Sequence, residues 1–119
     1  MRPFHIAPLQ PLRIPTGWRI TINNLCEFNP CTINDPSDER WEYLEEDLFS
    51  AQHEHYQTTV DVGWYPSMSP DGNYKAIFIL NDDWNNPLDE LVTRNLQEIV
   101  PWLEERMANP QARRKGRTQ

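Results

Sequence analysis

Two histidines come closest to a reactive or metal-binding pair. His53 and His55 flank Glu54 and lie on the same side of an extended chain, where two imidazoles can bind a metal ion or respond to pH. With Asp61 they would form the set used by a small metal-binding protein or enzyme. The sequence places no third ligand beside the histidines, and the beginning of a polar strand also explains them. It therefore predicts no metal, no cofactor and no catalytic residue, and this chemistry is the alternative.

Other familiar chemistries lack the residues they need. Neither Gly-x-Ser-x-Gly nor Ser-x-x-Lys occurs, and no histidine stands near a cysteine. The four glycines are dispersed, which excludes glycine-rich phosphate loops. Loop 81–86 is acidic like a calcium loop but lacks the central glycine and the closing glutamate. Cys26 and Cys31 do not have the spacing of redox pairs or zinc knuckles.

Charge is the strongest compositional signal. The 119 residues carry a formal net charge of −7, and four of the 11 basic residues fall in the last seven positions. Between positions 35 and 54, Arg40 is the only basic residue among eight acidic ones. Such a field repels nucleic acid and attracts basic partners, although a solvated face that keeps the protein in solution has the same composition.

The elements that would position these residues belong to one domain. Residues 1–17, with prolines throughout, form an extended arm packed on a single α+β domain at 18–108, and 109–119 form a disordered basic tail. Alternating apolar residues predict strands at 18–23 and 55–65, and a further strand at 74–80 forms a hairpin with the second. Residues 88–94 fit a short strand or a helix, of which we favour the strand returning against the central one, and a helix capped by Asn95 follows.

The acidic run is predicted to lie on a helix over residues 38–51. Trp41, Leu44, Leu48 and Phe49 recur at helical spacing, and the acidic side chains occupy the other face. The order is β-α-β-β-β-α, a mostly antiparallel sheet of about four strands covered by two helices on one face. No apolar run is long enough to span a bilayer, so a cytoplasmic location without membrane contact is expected.

Aromatic residues beside acidic loops favour a recognition surface. Trp64 belongs to the predicted core, whereas Trp84 lies between Asp83 and Asn85 in a polar loop and is the better interface candidate. The residues predicted to bind a partner are the helix acids and this loop: Glu39, Glu42, Glu45, Glu46, Asp47, Asp82, Asp83 and Trp84.

Segments 12–24 (LRIPTGWRITINN) and 61–74 (DVGWYPSMSPDGNY), with the Asn-Asp-Asp-Trp loop and the last helix, resemble small bacterial immunity proteins of contact-dependent growth inhibition and other polymorphic toxin systems. The resemblance covers most of residues 12–107 and implies a cytoplasmic protein. We also expect the chain to be monomeric or weakly dimeric. Such a protein binds a cognate toxin domain, often a basic nuclease, and blocks its active or substrate-binding surface. A structural adaptor held through the N-terminal arm is a further alternative.

Overall fold

The computed structural model of the chain describes residues 8–111. Predictions for residues 1–7 of the arm and 112–119 of the basic tail lie outside this range. The described elements are β1 (Trp18–Asn23), β2 (Phe49–His53), β3 (Thr58–Tyr65), β4 (Asn73–Leu80), β5 (Asp89–Thr93) and α1 (Leu96–Ala108). Two short 3₁₀ helices, Pro30–Thr32 and Glu39–Tyr43, lie between β1 and β2. None of the helices in residues 8–111 is long and apolar enough to cross a membrane.

The five strands form one antiparallel sheet in chain order, β1 to β5, so each strand pairs with its sequence neighbour. The α+β class is confirmed. The first strand, the hairpin of β3 with β4 and the return of β5 against β4 are also present as predicted. The Asn95 side chain accepts a hydrogen bond from the Gln97 backbone and begins α1, which confirms the predicted cap.

The predicted helix over residues 38–51 is wrong. Only Glu39–Tyr43 is helical, as a 3₁₀ turn that begins at Asp38, and the chain then extends into β2. The Asp38 carboxylate accepts hydrogen bonds from the backbone N–H and the guanidinium of Arg40, and these bonds lower the Asp38 pKa to about 2. The four apolar residues of the helical pattern are all buried, but they lie in the 3₁₀ turn, in the segment after it and at the start of β2. Pairing of β2 with both β1 and β3 overrides the local helical preference, which gives five strands and one α-helix within residues 8–111.

One face of the sheet, the covered face, packs against α1. Alternate residues of β3 and β4 point into this core and are buried beside the inner side of the helix. The largest fully buried side chains of the core include Trp64, Tyr74, Phe49, Leu48, Ile99 and Leu103. The Trp64 ring packs edge-on against Tyr74 at 5.1 Å between centroids, and its indole N–H donates to the Ser69 carbonyl at 2.9 Å.

The described part of the arm lies along the domain. Leu9 forms a bridge with Cys26, and the Gln10 N–H donates to the Leu25 carbonyl at 2.8 Å. Farther along, the Arg13 N–H donates to the Glu104 carboxylate of α1 at 2.9 Å. Leu12 and Ile14, on either side of Arg13, pack against the core.

The opposite face of the sheet, the open face, has no α-helix over it within residues 8–111, because α1 lies on the other side. It carries the alternate residues of the central strands, among them Asp61, Tyr65, Lys75 and Ile77. Only loops approach it. Thr59 and Ile79 lie on the same face but are buried, so the part of the open face that reaches solvent is the end around Tyr65 and Lys75.

Candidate functional site on the open face

A pocket of about 430 Å³ lies on the open face. It is lined by Asp61, Tyr65, Lys75, Ile77 and Trp84. Strands β3 and β4 supply four of these side chains, because Asp61 pairs with Ile77 and Gly63 with Lys75 in the hairpin register. The loop between β4 and β5 brings Trp84 to the same place. The pocket thus combines two aromatic rings, one carboxylate and one ammonium group.

Gly63 lets an acidic segment approach this pocket. It lies between Asp61 and Tyr65 on the open face, and a Cβ there would sit 2.1 Å from the Glu46 carbonyl oxygen. The segment is held at both ends, because Trp64 N–H donates to the Glu45 carbonyl at 2.8 Å and Leu48 N–H donates to the Val62 carbonyl at 3.0 Å. The residues between these bonds, Glu46 and Asp47, border the open face. A side chain at position 63 would displace them.

The acidic segment affects Tyr65 directly. The Tyr65 hydroxyl donates to the Glu46 carbonyl at 3.4 Å, which holds the phenol over the edge of the pocket. Burial raises the pKa of this phenol, and the nearby charges of Asp61, Glu46 and Asp47 raise it further. The three carboxylates therefore act on one small area of the face.

Asp61 is a half-buried carboxylate in the middle of the open face. Burial raises its pKa above the ordinary value of 3.8, a hydrogen bond from Ser50 lowers it in part, and the charge of Asp47 raises it again. Ser50 stands directly opposite on β2. In the free protein, the surroundings of Asp61 thus make the ionised form of its carboxylate less favourable than it is in water. A positive charge placed in the pocket would relieve this cost.

Lys75 is the cation of the pocket, and it has another partner. Its Nζ lies 3.7 Å from the Glu90 carboxylate on β5, with both side chains about half exposed. An exposed pair of this kind contributes little to stability. It nevertheless balances the lysine charge locally, so that Asp61, Glu46 and Asp47 leave the pocket acidic.

The structure brings together three of the residues predicted to bind a partner: Glu46, Asp47 and Trp84. Glu39 and Glu42 lie instead on the 3₁₀ helix, whose Trp41 and Tyr43 are buried. Glu45 is half-buried beside β3. Asp82 has a positive φ of 57° in the turn, and the Asp83 carboxylate accepts hydrogen bonds from the Asn86 amide. A single acidic helix face is therefore wrong.

The alternative set of His53, His55 and Asp61 is not assembled. His53 is buried on the covered side, where its ring packs edge-on against Trp18 at 5.2 Å and its Nδ1 accepts from the Tyr56 N–H at 3.3 Å. His55 is exposed, and its ring packs edge-on against Tyr56 at 4.6 Å between centroids. Asp61 lies on the open face. Within residues 8–111, no three His, Cys, Asp or Glu side chains are grouped to hold a metal ion.

Sequence reasoning missed Lys75 and Ile77 as pocket residues, and it noted Tyr65 beside the hairpin turn without including it among the partner-binding residues. The alternation in 61–65 and 73–80 places them on one strand face each, but it does not give the register between the strands. Nor does it show that Trp84 returns to the sheet. Comparison with known proteins finds no matching family model, curated protein or solved structure. The pocket's charge and aromatic rings therefore carry the functional interpretation.

Proposed function

We propose that the open face binds a basic protein domain and that the chain acts as an inhibitor of that domain, in the manner of bacterial immunity proteins. The observation that carries this proposal is the pocket itself, in which Trp84 and Tyr65 stand beside Asp61 with Glu46 and Asp47 next to them. Exposed aromatic residues among charges are the usual anchors of protein interfaces.

Exposure supports a binding role for the two rings. Trp84 is 49% exposed and Tyr65 is 42% exposed, although indole and phenol rings gain much free energy from burial. Val92, at 56% exposed, extends the apolar area along β5 on the same face. A partner that covers these side chains would remove them from water without a large rearrangement of the domain.

Charge gives the partner's chemistry. The acidic residues of the pocket would attract a basic surface and speed its association at low salt. If that surface belongs to a nuclease, the inhibitor would occupy the region that binds nucleic-acid phosphates. The mechanism is steric and electrostatic, takes place in the cytoplasm and needs no cofactor.

The first experiment is a tagged capture from the native host at low and moderately high salt, with mass spectrometry of the bound proteins. One basic partner whose capture weakens with salt is expected. Purified partner then allows a kinetic comparison of two variants of equal charge: Glu46→Gln with Asp47→Asn at the pocket, and Glu39→Gln with Asp71→Asn elsewhere. The pocket variant should associate about tenfold more slowly.

The control variant should keep an association rate close to that of the unmodified chain. Equal slowing by both variants would mean that overall charge, and not the open face, guides binding. Capture of no basic protein under either salt condition would reject the inhibitor function.

A further inference from the structure

We infer that the pocket on the open face receives the side chain of one arginine from the basic partner, with its guanidinium against Trp84 and its charge paired with Asp61. This inference rests on the proposed function and names the group that anchors the partner. It also makes a prediction of its own, because the pocket should recognise an arginine side chain in a short peptide.

Two arginines elsewhere in the chain show which groups surround a guanidinium that lies over an aromatic ring. Arg106 lies 4.6 Å from the Trp102 ring centroid and is paired with Asp89 and Glu105. Arg40 lies 5.8 Å from the Phe28 ring and is paired with Asp38 at 2.7 Å. These two arginines each have an aromatic face and a carboxylate, which together satisfy the charge and the flat surface of a guanidinium. A third, Arg94, lies 5.4 Å from the Trp64 ring centroid and donates to the Gly72 carbonyl instead.

The pocket offers the same two components to a guanidinium from outside. Trp84 supplies a half-exposed ring and Asp61 supplies a carboxylate, and no arginine is among the described residues that line the space. The volume of about 430 Å³ is enough for one long side chain. Arginine fits better than lysine because its planar, weakly hydrated group stacks on a ring while it donates hydrogen bonds.

Lys75 would oppose a second cation if its own charge were unbalanced. The Glu90 carboxylate, 3.7 Å from the Lys75 Nζ, offsets this charge locally, and Glu46 and Asp47 add negative charge beside Tyr65. Burial and the charge of Asp47 raise the pKa of Asp61, so an entering cation would make the ionised form of this carboxylate more favourable. The surrounding charges therefore favour one added positive group.

The test uses the unmodified chain and three short peptides, acetyl-Gly-Arg-Gly-amide and the same peptide with lysine or citrulline in place of arginine. NMR follows the indole N–H of Trp84, identified with Trp84→Phe. The arginine peptide should shift this signal in a saturable manner. Lysine should bind about tenfold more weakly, and citrulline, which has the same shape without the charge, should cause no saturable shift.

Four variants locate the binding. Asp61→Asn should remove the preference for arginine, whereas Asp71→Asn removes an equal charge from an exposed turn that does not line the pocket and should leave it unchanged. Lys75→Gln should strengthen arginine binding because it removes a positive charge from the pocket. Glu90→Gln should weaken arginine binding because the Lys75 charge is then no longer balanced and repels the guanidinium. Each effect is read as a ratio of dissociation constants on protein whose NMR spectrum remains that of the folded domain.

Several results would overturn the inference: no shift of the Trp84 signal, equal binding of citrulline or lysine, or an unchanged preference in Asp61→Asn. None of these measurements contains the partner protein. If a basic partner is captured while the peptide does not bind, the arginine anchor is wrong and the inhibitor function stands. If the peptide binds and no basic partner exists, the function fails and the arginine site remains.

Discussion

The two faces of the sheet are made by the same strands and have opposite properties. On β3, Val60, Val62 and Trp64 are fully buried on the covered face, while Asp61 and Tyr65 alternate with them on the open face. The covered face gains its free energy from packed rings, and the open face keeps a carboxylate that folding alone does not favour. Over residues 60–65, alternation along one strand thus separates residues that hold the fold from residues available to a partner.

The largest difference should appear between two tryptophans. Trp64 is fully buried and hydrogen-bonded, so Trp64→Ala should lower the free energy of unfolding by about 3–5 kcal/mol. Trp84 is half exposed, and Trp84→Ala should change it by no more than about 0.5 kcal/mol. Urea denaturation of both variants measures the contrast. Similar losses would mean that the open face also holds the fold together.

Trp84, which contributes little to stability, should contribute strongly to partner binding. Trp84→Ala should weaken the captured partner's affinity by about 2 kcal/mol or more, because it removes the largest ring from the pocket. Leu9→Ala is the control, since Leu9 is also 49% exposed but lies on the arm. Calorimetric titration compares them. A loss of affinity that is equal in both variants would move the interface away from the pocket.

Gly63→Ala should produce an intermediate effect on both properties. The added methyl group would collide with the Glu46 carbonyl and push the acidic segment outward, at a cost of about 1–3 kcal/mol in unfolding free energy. Because Glu46 and Asp47 would move, association with a basic partner should also slow. Denaturation and association kinetics on the same protein measure both. Unchanged stability would mean that the segment yields without strain.

The smallest effect should be a pH-dependent gain in stability from Asp61→Asn. A carboxyl whose folded pKa is raised binds more protons in the folded state, so its contribution to stability falls as the pH rises above 3.8. The variant should therefore melt higher than the unmodified chain at pH 7, and the difference should disappear as the pH approaches 3.8. Thermal unfolding across this range checks it, with Asp71→Asn as control. A loss of stability at pH 7 would show that the charge helps the fold.

Local patterns predicted most of the fold. Strand alternation located β1 and β3, the continuous apolar run 77–80 located β4, and the Asn95 cap located α1. The strand β2 was missed because the apolar residues before and within it also fit a helix, and only pairing with two neighbouring strands decides between the two structures. Such pairing is not local and leaves no mark in a short window of sequence.

The candidate site was less predictable than the fold. Charge and an exposed-looking loop indicated Glu46, Asp47 and Trp84, while Asp61 was assigned to the alternative chemistry of the histidines. Joining them needs the register of β3 against β4, the close approach allowed by Gly63 and the return of the Trp84 loop to the sheet. Each depends on residues far apart in the chain.

The contacts between the arm and α1 imply an order of assembly. Strands β2 to β5 are joined by the short loops 54–57, 66–72 and 81–88, so these hairpins can form by closing short loops, whereas β1 pairs with β2 across residues 24–48. By contrast, Arg13 and Glu104 are 91 residues apart, and the Trp18 indole reaches the Met107 carbonyl across 89. We expect these contacts to form last and open first, so that the Gln10 and Arg13 amides exchange hydrogen before those of β3; slower exchange at the arm would contradict this. The described part of the arm would then dock on α1 after the sheet has formed.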